Sequence, residues 1–168
     1  MKIVKNIKPS KLFIFSYSML SLLCFFCFFS SVYEIRLFLN ETDSNPYTLF
    51  IGSKMRYVKK NIYIAAFPDV EIVKCALKGR AVIKKIKGMP GDEIHVEGNE
   101  VFLEGEYVGS IEESKNPNLF LSSLKETCIP DDSYFLSSDN TLSSFDSRYA
   151  EFGLVKKENI RYQLWPIF

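Results

Sequence analysis

The sequence predicts a mostly β domain that follows one N-terminal transmembrane helix. Residues 12–33 form an apolar block that contains no charged residue. Behind it lie short β-rich segments separated by turns rich in Gly, Pro, Asn and Asp, with no amphipathic helix of useful length. A chain of 168 residues has room for one domain and this appendage.

The apolar block at residues 12–33 is long enough to span a membrane. At about 1.5 Å per residue, a helix of this length covers roughly 33 Å, comparable with the hydrocarbon core of a bilayer. A cleaved signal peptide is the alternative. It needs a shorter apolar core and a small residue before the cleavage site, where this chain has Phe28 and Phe29. We therefore expect an uncleaved anchor.

The flanking charges predict the orientation of this anchor. Residues 1–11 contain lysines and no acidic residue, and the first acidic residue of the chain is Glu34, just after the apolar block. The positive-inside rule therefore places residues 1–11 in the cytoplasm and residues 34–168 on the extracytoplasmic side.

Several segments behind the anchor have the composition of β-strands. Gly98 and Asn99 mark a hairpin between two of them. The predicted strands are residues 47–51, 62–67, 81–87, 93–96, 101–103, 133–137 and 160–165. We expect residues 34–40 to form a short helix or an irregular lead-in, and residues 110–127 to form a loop or a small inserted lobe.

Charge, histidine content and cysteine spacing exclude several classes of function. The 21 basic and 20 acidic residues leave no overall basic character for nucleic acid. The one histidine, His95, is interpreted as a surface or edge residue of a strand. The cysteines lack zinc-site spacing. A phosphate loop requires a helix directly after it, and no helix is predicted after residues 88–91. We therefore expect no metal and no cofactor.

The four cysteines divide into two pairs. Cys24 and Cys27 lie within the apolar block, where we interpret them as small side chains compatible with lipid. Cys75 and Cys128 lie in the exported part, where disulfides persist. The sequence allows a Cys75–Cys128 bridge but does not establish the geometry that one needs.

The chemistry that remains is a serine nucleophile activated by a lysine base. A serine hydroxyl is a weak nucleophile until a neighbouring base takes its proton. Lysine can be that base only when neutral, so its pKa of about 10.4 must fall to about 7–8, which burial on an apolar strand promotes. Lys84 and Lys85 follow an apolar run and point to opposite faces of a strand, so one of them can face the core.

Residues 83–92 (IKKIKGMPGD) resemble the lysine box of type I signal peptidases. In that box a lysine lies four residues before the first glycine of Gly-x-Pro-Gly-Asp. The resemblance therefore implies that Lys84 is the general base. It also implies a signal-peptidase-like catalytic domain built as a β-barrel or β-sheet.

Residues 138–149 (SDNTLSSFDSRY) are similar to the last sequence box of the same family. The resemblance implies that Ser144 hydrogen-bonds the catalytic lysine. It further implies that Asp146 and Arg148 hold the box together and that Asp139 supports it.

The nucleophile region selects a branch of the family. General signal peptidases carry Ser-Met-x-Pro here, whereas this chain has Asn40, Thr42, Ser44 and Pro46 in the pattern Asn-x-Thr-x-Ser-x-Pro. This pattern resembles the TraF-like peptidases of conjugative transfer systems. It implies Ser44 as nucleophile, with the Ser44 backbone N–H and the Thr42 hydroxyl stabilising the oxyanion.

Three positions depart from the patterns of these families. Thr48 stands where the TraF-like pattern has Gly, Asn61 replaces a Gly-Asp turn, and Ser138 replaces a Gly before Asp139. None of the three departures removes a group that the chemistry needs.

The resemblance implies a peptidase anchored in the bacterial inner membrane with a periplasmic catalytic domain. Its substrate would be a membrane-associated propilin, in some relatives joined head to tail, and its partners would include the lipid bilayer and conjugation-apparatus proteins. The alternatives are a general signal peptidase acting on secretory preproteins and an inactive pilus-assembly scaffold. The anchor and the lack of a DNA-binding region disfavour a soluble self-cleaving repressor.

Overall fold

The computed structural model describes residues 11–70, 80–112 and 121–168, which form two compact units, 1–35 and 36–168. The first unit contains one helix, α1 (Lys11–Tyr33). Its segment Phe13–Tyr33 is long and apolar enough to cross a membrane by length and composition. The apolar block therefore forms the predicted helix.

The second unit is built from two antiparallel sheets, which confirms the predicted mostly β class. The strands of the larger sheet are β1 (Arg36–Leu39), β2 (Leu49–Lys54), β3 (Tyr63–Ala66), β4 (Val82–Gly88), β9 (Ser133–Ser137), β10 (Val155–Lys156) and β11 (Ile160–Pro166). Those of the smaller sheet are β5 (Glu93–Glu97), β6 (Glu100–Leu103), β7 (Glu106–Ser110) and β8 (Thr127–Cys128). Among the described residues, the orders are β1-β2-β11-β3-β4-β9-β10 and β7-β6-β5-β8.

The larger sheet has an apolar core on each face, because alternate residues of its strands point to opposite sides. Ile64 and Leu136 belong to the core on one face, and Phe50 and Tyr63 belong to the core on the other. Phe135 of β9 packs instead with the apolar residues of the smaller sheet. β4 lies between β3 and β9, and its face with Lys84 and Ile86 is buried, whereas Lys85 and Lys87 on the other face are partly exposed.

Most of the predicted strands are present. The predicted segments 62–67, 81–87, 133–137 and 160–165 match β3, β4, β9 and β11 to within one residue at each end, and the predicted hairpin is formed by β5 and β6. The strand predicted at residues 47–51 is displaced, because β2 runs from Leu49 to Lys54 to pair with β11.

The alternative of a short helix at residues 34–40 was wrong. This segment contains β1, which pairs with β2 in antiparallel register, and Phe38 packs against the core that contains Phe50. Pairing with β2 overrides the local preference of this short segment.

The loop or lobe predicted at residues 110–127 lies only partly within the described residues. Strand β7 reaches Ser110, β8 begins at Thr127, and Ser123 forms a β-bridge with Tyr149. Residues 113–120 lie outside the described part, so the prediction of a lobe stays open.

His95 and the cysteines are mostly where the sequence predicted. His95 is on β5 and pairs with Glu126, with Nδ1 and Oε1 2.6 Å apart. Cys24 and Cys27 are exposed on α1, and Cys128 is a free, exposed cysteine. Cys75, the other half of the bridge that the sequence allows, lies outside the described residues.

Candidate active site

Lys84 is a buried amine at the centre of the larger sheet. It lies on β4 opposite Ile64, on the face whose core contains Ile64 and Leu136, and 5% of its surface is exposed. Its Nζ donates hydrogen bonds to Ser144 Oγ at 2.6 Å and to Ser138 Oγ at 2.9 Å. Lys85 points to the opposite face of the strand, as the alternation predicted.

The pKa of Lys84 is lowered to about 8, chiefly because burial disfavours its charged form. The carboxylate of Asp146 acts in the opposite direction and raises the pKa, while the charge of Arg148 lowers it further. An amine with this pKa is neutral in a substantial fraction of molecules near neutral pH, so it can accept a proton.

Ser44 lies in a turn held together by hydrogen bonds from neighbouring side chains. Ser44 Oγ is 2.7 Å from Thr42 Oγ1, which donates to Asn40 Oδ1 at 2.9 Å. Because the Thr42 hydroxyl has one hydrogen and gives it to Asn40, Ser44 donates to Thr42. The amide of Asn40 also donates to the carbonyls of Thr42, Asn45 and Tyr47. The three polar residues of the motif therefore form one connected unit.

Asn45 connects this turn to β4. Its Nδ2 donates to the carbonyl of Ile83 at 3.0 Å and lies 3.4 Å from Ser44 Oγ. Ile83 directly precedes Lys84, so the amide of Asn45 ties the turn of Ser44 to the strand of the lysine. Asn45 Oδ1 is buried and has no hydrogen-bond partner among the described residues.

Ser44 and Lys84 line the same cleft, which has a volume of about 640 Å³. Its walls are largely apolar, with Phe67, Val82 and Phe145 among the lining residues. Within the described part of the chain, no hydrogen bond joins Ser44 Oγ to Lys84 Nζ. The two groups thus share one cleft while the Ser44 hydroxyl is directed to Thr42.

Asp146 and Arg148 form a buried ion pair beneath the lysine. Their exposures are 0% and 1%, and Arg148 Nε donates to Asp146 Oδ1 at 2.8 Å. The guanidinium also donates to the carbonyls of Ser110, Thr141 and Ser144 at 2.5, 2.7 and 3.0 Å. Ser144 Oγ donates to Asp146 Oδ2 at 2.9 Å. The pair therefore fixes the loop that presents Ser144 to Lys84.

Asp139 lies on the other side of β4 and does not contact Lys84. Its carboxylate accepts hydrogen bonds from Lys85 Nζ at 2.6 Å and from the Tyr63 hydroxyl. Burial by itself would raise the pKa of Asp139, but these two hydrogen bonds and the charge of Lys85 hold it below its usual range. Asp139 thus joins β3 and β4 to the loop that follows β9.

The family model described as "Signal peptidase, peptidase S26" matches residues 12–163 of this chain. The chain belongs to the signal peptidase family, peptidase S26.

Curated relatives and a solved structure carry similar descriptions. "Probable signal peptidase I-2" of Synechocystis is 30% identical over 62% of this chain, which spans 47% of that protein's length. "Signal peptidase I U" of Bacillus subtilis is 28% identical, over 77% of this chain and 75% of the relative. A crystal structure of a signal peptidase I from Enterococcus faecalis has 22% identity and a TM-score of 0.38, covering 63% of this chain and 95% of that one.

Two residues of the site in this S26 chain were not among the sequence predictions. Asn45 appeared only as the variable position of the nucleophile motif. Ser138 appeared only as a departure from the family's glycine, although alternation from Leu136 on β9 would have put it on the face of Lys84. Asn61, another departure, adopts φ 62°, a left-handed conformation that asparagine tolerates.

Proposed function

We propose that this chain is a membrane-anchored serine endopeptidase with Ser44 as nucleophile and Lys84 as general base. The environment of Lys84 carries this proposal. The amine is buried, is held by serine hydroxyls and has a pKa lowered to about 8, and it lines the cleft that Ser44 also lines. Membership of the S26 family supports the same chemistry.

In the proposed reaction Ser44 Oγ attacks the scissile carbonyl carbon, and neutral Lys84 takes the hydroxyl proton. The Ser44 hydroxyl must first turn from Thr42 towards Lys84. The tetrahedral intermediate expels the amine of the peptide bond, which takes the proton from the Lys84 ammonium, and an acyl-enzyme ester remains. Water then releases the acid product, or an amine of the substrate releases a cyclic product.

The oxyanion is stabilised in this proposal by the Ser44 backbone N–H and by the Thr42 hydroxyl, which must turn from Asn40 Oδ1 to donate to it. Thr42 Oγ1 lies 2.7 Å from the nucleophilic oxygen, so it is close to the carbon that the oxygen attacks. One donor of this kind contributes roughly 3–4 kcal/mol to transition-state stabilisation. Ser144 orients the lysine amine, while Asp146, Arg148 and Asp139 hold the surrounding loop.

The proposed location is the bacterial inner membrane. Residues 12–33 would cross the bilayer once, residues 1–11 would lie in the cytoplasm, and residues 34–168 would form the periplasmic catalytic domain. Such an anchor confines the enzyme to the surface where membrane-held precursors present their cleavage sites, which increases their effective concentration.

For the substrate we propose a propilin of a conjugative transfer system, with conjugation-apparatus proteins as partners. The Asn40-Thr42-Ser44 unit supports this choice, because the residues that define the TraF-like pattern contact one another in the structure. Processing of secretory preproteins is the second candidate. The relatives named signal peptidase I favour it, and the fold and the site fit it equally well.

Mass spectrometry of co-expressed precursors tests both candidates. The full chain is expressed with the propilin encoded nearest its own gene and, separately, with a secretory preprotein of the same host. We expect the wild type to shorten the propilin, whereas Ser44→Ala and Lys84→Ala leave its mass unchanged. A product lighter than the linear form by one water molecule identifies cyclisation.

Two matched variants serve as controls. Ser53→Ala removes a hydroxyl on β2, and Lys87→Ala removes an amine on β4, both away from Lys84 Nζ. Each is expected to retain processing. If the preprotein alone is shortened, the chain is a general signal peptidase. If neither precursor changes, the peptidase proposal is wrong and an inactive scaffold is favoured. If Ser44→Ala still processes a precursor, Ser44 is not the nucleophile and the Ser44–Lys84 proposal is wrong.

A further inference from the structure

We propose that Ser138 is a second positioning residue for Lys84, which aims the lone pair of the lysine amine at Ser44. This proposal rests on the proposed peptidase function. It concerns a residue that stands where the signal-peptidase pattern has glycine, and a glycine has no hydroxyl to offer. In this chain two serine hydroxyls, and not one, hold the amine.

The position of Ser138 is set by the sheet. It directly follows β9, whose residue Ser137 pairs with Lys85 of β4. Alternation along β9 puts Ser138 on the same face as Leu136 and Lys84, and 2% of its surface is exposed. Its Oγ lies 2.9 Å from Lys84 Nζ and 3.0 Å from Ser144 Oγ. The hydroxyl therefore completes a buried cluster with the amine and the second serine.

The hydrogen positions in this cluster follow from the charge of Asp146. Ser144 has one hydroxyl hydrogen and two acceptors in reach, Ser138 Oγ and Asp146 Oδ2. The carboxylate is the stronger acceptor, so the hydrogen of Ser144 goes to Asp146. The contact between the two hydroxyls is then made by the hydrogen of Ser138. Both serine oxygens are left to accept from Lys84.

This arrangement occupies every N–H of the neutral amine. A neutral lysine has two N–H donors and one lone pair, and Ser138 and Ser144 each accept one donor. The lone pair takes the fourth tetrahedral position of Nζ, so it points away from both serines. Ser44 lines the same cleft, so the lone pair is available to take the Ser44 proton. With Ser144 alone, the amine could rotate about its Cε–Nζ bond and misdirect the lone pair.

The segment that contains Ser138 also contacts the nucleophile turn. Asn140 N donates to the Ser44 carbonyl at 3.0 Å, and Asn140 Nδ2 donates to the Asp43 carbonyl at 3.0 Å. Residues 138–140 therefore touch the base at one end and the nucleophile turn at the other. A substitution of Ser138 is therefore expected to change the alignment of Ser44 with Lys84.

The test compares Ser138→Ala with the wild type in the full chain, purified in detergent. NMR of protein labelled with ¹³C at lysine Cε follows the titration of Lys84, whose signal is identified by its loss in Lys84→Met. We expect the pKa of Lys84 to fall by about 0.5–1 pH unit, because a hydroxyl acceptor stabilises the ammonium more than the neutral amine. Ser133→Ala, on the same strand β9 and away from Lys84, is the control and should leave the titration unchanged.

Kinetics supply the second measurement, with a peptide that spans the cleavage site found in the co-expression experiment. For Ser138→Ala we expect kcat to fall about tenfold with KM unchanged. The variant loses one hydrogen bond that aligns the base Lys84, and Ser138 makes no hydrogen bond to the substrate in this proposal. The pH at which kcat is half-maximal should move down with the pKa of Lys84. Ser138→Gly replaces Ser138→Ala if the alanine variant does not fold.

The outcomes separate this proposal from the proposed function. An unchanged Lys84 titration in a folded Ser138 variant overturns the proposal, whatever the activity. So does a variant whose melting temperature falls while kcat and its pH dependence stay at wild-type values, since that result indicates a structural role alone. If the wild type cleaves neither precursor, the proposed function fails first, and the NMR titration still decides whether Ser138 controls the amine.

Discussion

The burial of Lys84 affects both its activity as a base and the stability of the fold. An amine removed from water is easier to deprotonate, which suits a general base, and costlier to keep charged, which destabilises the fold. With a pKa of about 8, roughly one tenth of Lys84 is neutral at pH 7. The same residue therefore links activity and stability to pH.

The first prediction concerns the pH dependence of peptide cleavage. Because neutral Lys84 is the active form in the proposed mechanism, kcat/KM should rise with pH, with an apparent pKa near 8, and level off above about pH 9. Initial rates on a peptide substrate between pH 6 and pH 10 measure this profile. A profile that is flat between pH 7 and pH 9 would contradict Lys84 as the base.

The second prediction is that Lys84→Met stabilises the protein at neutral pH. The folded pKa of about 8 lies below the pKa of 10.5 that the lysine has in the unfolded chain, so between these values only the unfolded chain holds the proton. The penalty of charging the buried amine, about 3 kcal/mol, is therefore fully present below pH 8 and is lost as pH rises to 10.5. Ser138 and Ser144 lose their lysine partner in this variant, and each loss reduces the gain in stability by about 1 kcal/mol.

Urea denaturation at several pH values checks this expectation. At pH 7 the free energy of unfolding of Lys84→Met should exceed that of the wild type by about 1 kcal/mol. The difference should vanish near pH 9 and reverse by pH 10, because the charging penalty is then largely lost while the two serine hydroxyls still lack their lysine partner. A variant that is less stable than the wild type at pH 7 would show that the amine contributes more through its hydrogen bonds than burial costs.

The third prediction concerns Asn45, which ties the nucleophile turn to β4. Asn45→Ala removes the donor to the Ile83 carbonyl and leaves a buried acceptor unpaired, so it should cost about 1–3 kcal/mol of stability and lower kcat. Asn45→Asp should be worse than Asn45→Ala, because a carboxylate would face that carbonyl. Thermal melts and kinetics rank the two variants, and the reverse order would refute the role of the amide as a donor.

At the scale of elements, the loop between β9 and β10 depends on one buried side chain. Arg148 binds Asp146 and three backbone carbonyls of neighbouring segments, as described above, and its guanidinium fork matches several acceptors at once. Gly109 leaves room for it, since a Cβ there would lie 2.8 Å from Arg148 Nη1 at a φ of 128°. The loop is thus held in place by Arg148, which belongs to the same segment, residues 138–149.

The fourth prediction is that Arg148→Ala costs about 3–5 kcal/mol of stability, because it leaves the carboxylate of Asp146 buried without its partner. Arg148→Lys should recover only a part, since an ammonium cannot reproduce the planar set of donors. Chemical denaturation measures both variants. Arg161→Ala is the matched control, because Arg161 is exposed and lies 4.7 Å from the ring of Phe67, so a small effect is expected there. A loss of similar size in the two alanine variants would contradict the special role of Arg148.

At the scale of the whole molecule, the chain consists of an apolar helix and a β domain with its own core. The buried apolar clusters are built from residues of the second unit, 36–168. A unit that holds its own core is expected to fold without the other.

The fifth prediction follows from this division. A chain that begins at residue 36 should have the melting temperature of the β domain in the full chain. It should cleave a soluble peptide at the full-chain rate but process a membrane-held precursor more slowly, since the anchor supplies proximity. Calorimetry and vesicle assays measure the two effects. If the truncated and the full chain processed the vesicle-bound precursor at equal rates, the anchor would have no role in the mechanism.

Local patterns in the sequence predicted the elements with the strongest composition signals. The apolar block and the buried strands β3 and β4 were predicted correctly, because an uncharged run and a β-branched run have few other stable structures. β1, β7, β8 and β10 were not, because each is short and is held extended by pairing with another strand and not by its own composition. For such segments the partner decides the conformation.

The sequence by itself predicted the apolar helix and the mostly β class, because these depend on local composition, and the resemblance of its motifs to the signal-peptidase family predicted the candidate pair Ser44 and Lys84 and the contact of Ser144 with the lysine. Only the tertiary structure showed that Ser138 joins Ser144 at the amine and that Asn45 binds the strand of Lys84. Ser138 and Ser144 come from a segment more than fifty residues away, and Asn45 comes from the nucleophile turn. Their contacts with β4 exist because the sheet brings these segments together and excludes water from between them.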